Sequence, residues 1–210
     1  MKLLPVAVLG YLCIALVWPT WRTWRRTRVF PVVFHREAET AQRVVGALMG
    51  LFLTGLAVWS LLCAALEPER LRIWQLAVEW HAIGWLLFLG GLAVTLIAQV
   101  QMGASWRIGI DDRPTQLVTG GLFAFSRNPI FFGMFLTFAG VVLISPAPWT
   151  LIGSPVAVIL VSLQVRLEER NLARIHGHAY ATYAAQVGRF VPWLGKLRPR
   201  GRTPAQEPAA

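Results

Sequence analysis

PIFFGMFLTFAGVVLISPAPWTLIGSPVAVILVSLQV, residues 129–165, runs thirty-seven positions without a charged side chain. It is broken once, at Ser145-Pro146-Ala147-Pro148. Proline lacks the amide hydrogen a helix needs and drives the residue before it out of the helical region, so this tetrapeptide ends one helix and starts another. The flanking runs, 129–145 and 147–165, approach the roughly 20 apolar residues that cross a bilayer. They read as two consecutive spans joined by a tight turn. The whole chain agrees, with 56% hydrophobic residues, 14% charged residues and a mean hydropathy of +0.54. Soluble domains hold about 45–50% and about 25%.

Working outward, three further runs qualify: 3–18, extendable toward Trp21; 44–66; and 76–100, which carries Glu79 and His81 near its start. The expected fold is an all-α polytopic membrane protein of about five spans with a cytoplasmic C-terminal cofactor-binding segment. Lys2 ahead of the first run also fits an export signal. No small-x-small cleavage site follows, however, and Trp18, Trp21, Arg22, Trp24, Arg25 and Arg26 form an interfacial belt and anchor. The run is therefore read as a retained span. Seventeen of the twenty Lys and Arg residues lie in the first loop, the third loop and the C-terminal segment. The positive-inside rule places those segments in the cytoplasm and the N-terminus outside. The formal charge of +10 then reports orientation, and no nucleic-acid partner is inferred. Trp74, Trp80, Trp149 and Trp193 also fall near span ends. Cys13 and Cys63 sit singly inside apolar runs and read as buried free thiols.

The chain divides into three N-terminal spans (1–100), a core of loop, hairpin and interfacial helix (101–194), and a Pro-, Arg- and Ala-rich tail (195–210) expected to be disordered. Residues 166–193 read as a helix along the membrane surface, interrupted at Gly177. Gly103, Gly109, Gly120 and Gly121 do not form a dinucleotide fingerprint and have no β-α-β context. His176 and His178 lack a third ligand, so no metal is inferred. Asp111 and Asp112 read as a polar turn. Glu79 and His81, near a span end, are a polar pair to be tested.

The residues with chemical potential fall in two places. Thr115 to Gly133 leads directly into the fourth span. Arg166-Leu-Glu-Glu-Arg-Asn-Leu172 is followed by His176 to Tyr183 and Val187 to Pro192. Glu168 and Glu169 point about 100° apart on a helix, and Arg166 can reach Glu169 at i,i+3.

These segments resemble the isoprenylcysteine carboxyl methyltransferase family and its relatives among the phospholipid methyltransferases, over roughly residues 99–193. The resemblance lies in Leu117-Val-Thr-Gly-Gly-Leu-Phe123, Arg127-Asn-Pro-x-Phe-x-Gly133, the Glu168-Glu169 pair, and Gly177-x-x-Tyr-x-x-Tyr183 with Arg189-Phe-x-Pro192. It implies an integral membrane enzyme using S-adenosyl-L-methionine, in a pocket built by the loop before the hairpin and the helix after it. Carried over, the cofactor contacts fall on Thr115, Gln116, Leu117, Val118, Phe123, Asn128, Pro129, Ile130, Phe131 and Glu168. The sequence departs from the family at Asn128, where histidine is commoner, and at Phe123 and Phe131, where the family has tyrosine. Gln164 stands near the place of an arginine that prenylcysteine enzymes use at the substrate. Either Arg166 substitutes for it or the substrate differs.

Methyl transfer from a sulfonium is an in-line displacement, so the protein mainly aligns donor and acceptor. Glu168 can hold the donor's ammonium or a ribose hydroxyl, Arg127 or backbone amides its carboxylate, and Phe123 and Phe131 its adenine. A carboxylate acceptor needs only cationic positioning, by Arg166 or Arg189. An amine or thiol must lose a proton, to Glu169 or His176. The catalytic candidates are Arg127, Arg166, Glu169 and Arg189. The sequence thus reads as a membrane methyltransferase acting on a small lipophilic or lipid-attached molecule at the cytoplasmic face. Competing readings are a phospholipid or amine N-methyltransferase, a sterol-reductase-like NADPH enzyme, and a non-catalytic membrane scaffold.

Overall fold

The structure, a computed structural model, describes residues 2–28, 40–103 and 116–197. Among these residues the chain is helical, with an isolated parallel bridge between Ser126 and Gly188. Helix α1 (Leu4–Leu12) passes through a π-turn (Cys13–Val17) into α2 (Trp18–Thr27), making one apolar span. α3 (Thr40–Ala65), α4 (Val78–Met102), α5 (Pro129–Ile144) and α6 (Pro148–Gln186) follow. Four of the helical stretches are long and apolar enough to cross a membrane. The fifth, α5, has 16 residues, about 24 Å at 1.5 Å per residue.

Pro19 has no amide hydrogen for the carbonyl of Ala15, four residues back. Gln99 of α4 supplies the missing donor, Nε2 to Ala15 O at 2.7 Å. Thr20 Oγ1 donates to Leu16 O at 2.5 Å. Hydrocarbon offers no water to satisfy backbone groups, so such side-chain repair lets a proline-broken helix cross. Trp18, Trp21 and Trp24 lie outward at the end of this span, each paired with the arginine four residues on, Arg22, Arg25 and Arg28, at 5.2, 4.8 and 5.7 Å.

The turn at Ser145 forms where the prolines require it. Thr150 Oγ1 accepts from Ala147 N at 3.0 Å, and Trp74 N donates to Pro146 O at 2.8 Å. The turn does not make α6 the main partner of α5, because α5 packs chiefly on α4. Glycines explain the choice. A Cβ on Gly140 would lie 2.5 Å from Gly84 O and 2.7 Å from Phe88 N. One on Gly91 or Gly133 would run into the facing backbone and into Thr137 or Thr95. In lipid, association is driven by such close packing rather than by water exclusion. Leu4, Val8 and Tyr11 of α1 and Ala15 of the π-turn complete the core against Phe88, Val141 and Ile144. Cys63 is buried as expected, whereas Cys13 faces outward.

One expectation is corrected. Residues 166–176 do not form a separate surface helix. They continue α6 from its apolar part, and the chain kinks at Gly177 before the helical stretch that ends at Gln186. The break at Gly177 is present, with φ 49° and ψ −120°. The uncharged stretch of α6 ends at Val165, and its charged remainder lies at the end of the bundle where α2 and α4 finish and α3 and α5 begin.

Candidate active site

At that end the chain leaves a Gly120-Gly121 turn, forms a short 3-10 turn over Gly121–Ala124 and reaches Arg127-Asn128 just before α5. Gly121 has φ +62°, and a Cβ there would meet the Gln101 side chain. Gln101 Oε1 instead accepts from Leu122 N at 2.9 Å, which docks the turn on α4. Phe123 is buried, and its carbonyl accepts from Tyr183 Oη at 2.7 Å. Leu117 packs against Tyr180, Tyr183 and Ala184. The loop before α5 is thereby fastened to both α4 and α6.

Glu169 is the hub. Its Oε1 accepts from Arg127 Nε at 3.0 Å and Asn128 Nδ2 at 3.2 Å, with Arg127 Nη2 at 2.9 Å. Its Oε2 accepts from Arg189 Nε at 3.0 Å and Nη2 at 2.7 Å. Arg127 also donates to the carbonyls of Ala184 (3.0 Å), Val187 (2.7 Å) and Gly195 (3.1 Å). Its side chain is 1% exposed, against 30% for Arg189. Asn128 Nδ2 bonds Arg189 O at 3.1 Å, and Arg127 N donates to Gly188 O at 2.9 Å. One carboxylate therefore binds the loop, α6 and the segment after α6 into a single unit.

This geometry shows where the expected site residues stand. Arg127 donates four hydrogen bonds to protein acceptors, and its Nη2 also lies 2.9 Å from Glu169 Oε1. Both Glu169 oxygens are occupied by cations. Arg166 is exposed and does not make the expected i,i+3 pair, because Arg127 and Arg189 take that carboxylate. Arg189 keeps an accessible edge. Glu79 and His81 sit at the start of α4, at the opposite end of the bundle, with His81 Nδ1 3.4 Å from Ala77 O.

Glu168 has the opposite environment to its neighbour. It is half-buried, and Gln164 Nε2 donates to its Oε1 at 2.9 Å. Its Oε2 has no donor among the described residues. It lies past the uncharged stretch of α6, and burial raises its pKa to about 7. The Gln164 bond opposes that rise and the Glu169 charge adds to it. Glu168 is thus a half-buried carboxylate whose one bonded oxygen is held by Gln164, while the Arg189 side chain, on the neighbouring Glu169, stays 30% exposed. Ile130 and Phe131 are half-buried on the first turn of α5, started by the buried Pro129, while Gln116 is exposed and Val118 half-buried. Phe135 packs edge-on against Phe190 at 5.2 Å. Thr115, Asp111 and Asp112 lie outside the described residues. His176 Nε2 is buried without a partner.

Sequence reasoning gave no role to Gln42 or Gln99, and noted Gln164 only as a departure. Gln42 Nε2 lies 3.4 Å from Gln164 Oε1, extending the polar chain from Glu168 to α3. The available signal was a glutamine inside or beside an apolar run, which is uncommon unless it has a polar partner.

Residues 80–179 match the family model described as phospholipid methyltransferase. A methanethiol S-methyltransferase of Crocosphaera subtropica is 31% identical over 83 residues, covering 40% of this chain and 32% of that protein. Methanethiol S-methyltransferase 1 of Bradyrhizobium diazoefficiens is 28% identical over 86 residues, covering 41% and 30%. The matched stretch thus spans about a third of each of these relatives. In fold, the chain is similar to the eukaryotic intramembrane Ras methyltransferase, isoprenylcysteine carboxyl methyltransferase, with a TM-score of 0.54 and 18% identity over 90% of this chain and 67% of that one. With its helical fold, its Arg-Asn-Pro start to α5 and its Glu-Glu pair on α6, the chain is similar over residues 80–179 to the phospholipid methyltransferase family, and in fold to an integral membrane methyltransferase.

Proposed function

We propose that this protein transfers a methyl group from S-adenosylmethionine to a small lipophilic thiol at the cytoplasmic boundary of the membrane. The observation that carries the donor is Glu168, whose open carboxylate oxygen lies beside a neighbour locked between two arginines. Glu168 holds the donor's ammonium or a ribose hydroxyl, and the accessible edge of Arg189 meets its carboxylate. Phe123, Asn128, Pro129, Ile130 and Phe131, with Gln116 to Val118, are the further donor contacts that the family resemblance implies. When bound, the donor supplies a methyl on a cationic sulfur. The methyl carbon would pass from the donor sulfur to the thiol sulfur as the bond to the donor breaks, and the thiol proton would go to a base, for which His176 is the candidate.

The thiol comes from the names of the two methanethiol S-methyltransferases that match this chain. Three features favour it over a carboxylate acceptor: Gln164 stands near the family's substrate arginine, Arg166 is turned outward, and Arg127 is fully engaged. His176, with an unpartnered ring nitrogen, is the base candidate that remains once Glu169 is ion-paired. Purified protein is titrated with S-adenosylhomocysteine to test the donor. Micromolar binding lost in Glu168→Ala supports the reading. Absence of binding, with NADPH binding in its place, overturns it.

A further inference from the structure

Gln42 lies in the first turns of α3, outside the family-matched stretch, and is 1% exposed. A carboxylate only accepts hydrogen bonds, so Gln164 must turn its Nε2 toward Glu168 (2.9 Å). That leaves Gln164 Oε1 for Gln42 Nε2 (3.4 Å). The relay therefore determines which end of the Gln42 amide is left over. Gln42 Oε1 is buried and has no donor. An unpaired carbonyl at the edge of the hydrocarbon is unfavourable, so a ligand that donates to it gains binding there.

Position indicates which ligand this is. Gln164 is one helical turn, about 6 Å, nearer the bilayer than Glu168, and Gln42 is level with it. A charged, water-soluble donor reaches Glu168 from the aqueous end, whereas a lipophilic acceptor comes from the bilayer. Farther along the bundle, among α1, α3, α4, α5 and α6, lies an apolar cavity of about 50 Å³ whose lining includes Met49, Phe52 and Val161. Among the described residues no cation is bonded to the Gln42 carbonyl, as a carboxylate acceptor would require. We propose that Gln42 is a specificity-determining residue whose Oε1 accepts a hydrogen bond from the S–H of an uncharged thiol acceptor. This rests on the methyltransferase reading above.

The test compares wild type with Gln42→Met in lipid nanodiscs, using a short alkyl thiol and S-adenosylmethionine. The expected result is a roughly tenfold rise in the thiol KM, with S-adenosylhomocysteine affinity unchanged within about twofold. Inhibition by the thioether product, which has no S–H, should not move. An unchanged thiol KM overturns the proposal. So does a KM that rises together with weakened S-adenosylhomocysteine binding or weakened product inhibition, since Gln42 would then act only through Glu168 or packing. If the variant does not fold, wild type alone decides, because it should methylate thiols and leave carboxylates of the same size untouched. Wild type that binds S-adenosylhomocysteine but methylates no thiol refutes the thiol reading itself. Thiol turnover that is indifferent to Gln42→Met refutes only the present inference.

Discussion

Replacing Glu169 with alanine tests the hub directly. The change leaves Arg127, with its side chain 1% exposed, holding a buried charge against carbonyls only. Removing one partner of a buried ion pair is destabilising by about 3–5 kcal/mol. Arg189→Ala removes the other cation, but its side chain is 30% exposed and water compensates part of the loss, so about 1 kcal/mol is expected. Glu169→Gln falls between, because one amide oxygen can still serve Arg127 while the NH₂ group opposes Arg189. The carbonyls of Val187 and Gly195 are held by Arg127, so the energy should appear as opening of the segment after α6. Trypsin cleavage after Lys196, followed by mass spectrometry, reads that opening. When opening is fast relative to cleavage, the rate follows the open population, and about 3 kcal/mol corresponds to roughly a hundredfold. The expected order of cleavage is Glu169→Ala, then Glu169→Gln, then Arg189→Ala, then wild type. Cleavage of Glu169→Ala at the wild-type rate, or Arg189→Ala opening as far as Glu169→Ala, would refute the hub.

Further outcomes follow from other contacts. Glu168 has its pKa raised to about 7 by burial, so its carboxylate form is populated above that pH and lost below it. Affinity for the cationic donor should fall by up to about tenfold per pH unit below 7, measured by calorimetry from about pH 8 to 6, and Glu168→Gln should flatten the curve. Gly133→Ala meets Thr95 and the Gly91 backbone, whereas Gly90→Ala meets nothing within 4 Å. The first should lower thermal stability in detergent by about 1–3 kcal/mol and the second should leave it unchanged. Gln99→Leu strands the Ala15 carbonyl and should destabilise by about 1–3 kcal/mol. Adding Pro19→Ala, which restores a backbone donor, should recover most of that loss in a double-mutant cycle; no recovery would mean the Gln99 bond has no such role.

Much of the architecture was legible because a bilayer imposes a coarse rule. Apolar runs of sufficient length, punctuated by Ser145-Pro146-Ala147-Pro148, give the helices, and the short motifs from Leu117 to Pro192 carry the resemblance to membrane methyltransferases. What stayed hidden depends on which residues meet across long separations. Nothing local tells that Gly84 and Gly91 will bring α4, rather than α6, against α5, because the steric match between two glycine faces exists only once both helices are placed. The Glu168-Glu169 pair shows the same division. Sequence alone determined that adjacent acids on a helix point in different directions. Only the tertiary structure decided that Glu169 would meet Arg127 and Arg189, 42 and 20 residues away, while Glu168 keeps an open oxygen and reaches α3 through Gln164 and Gln42. The physical reason is that helical periodicity is written in neighbouring residues, whereas the neutralisation of a buried charge depends on groups that the fold brings from elsewhere in the chain.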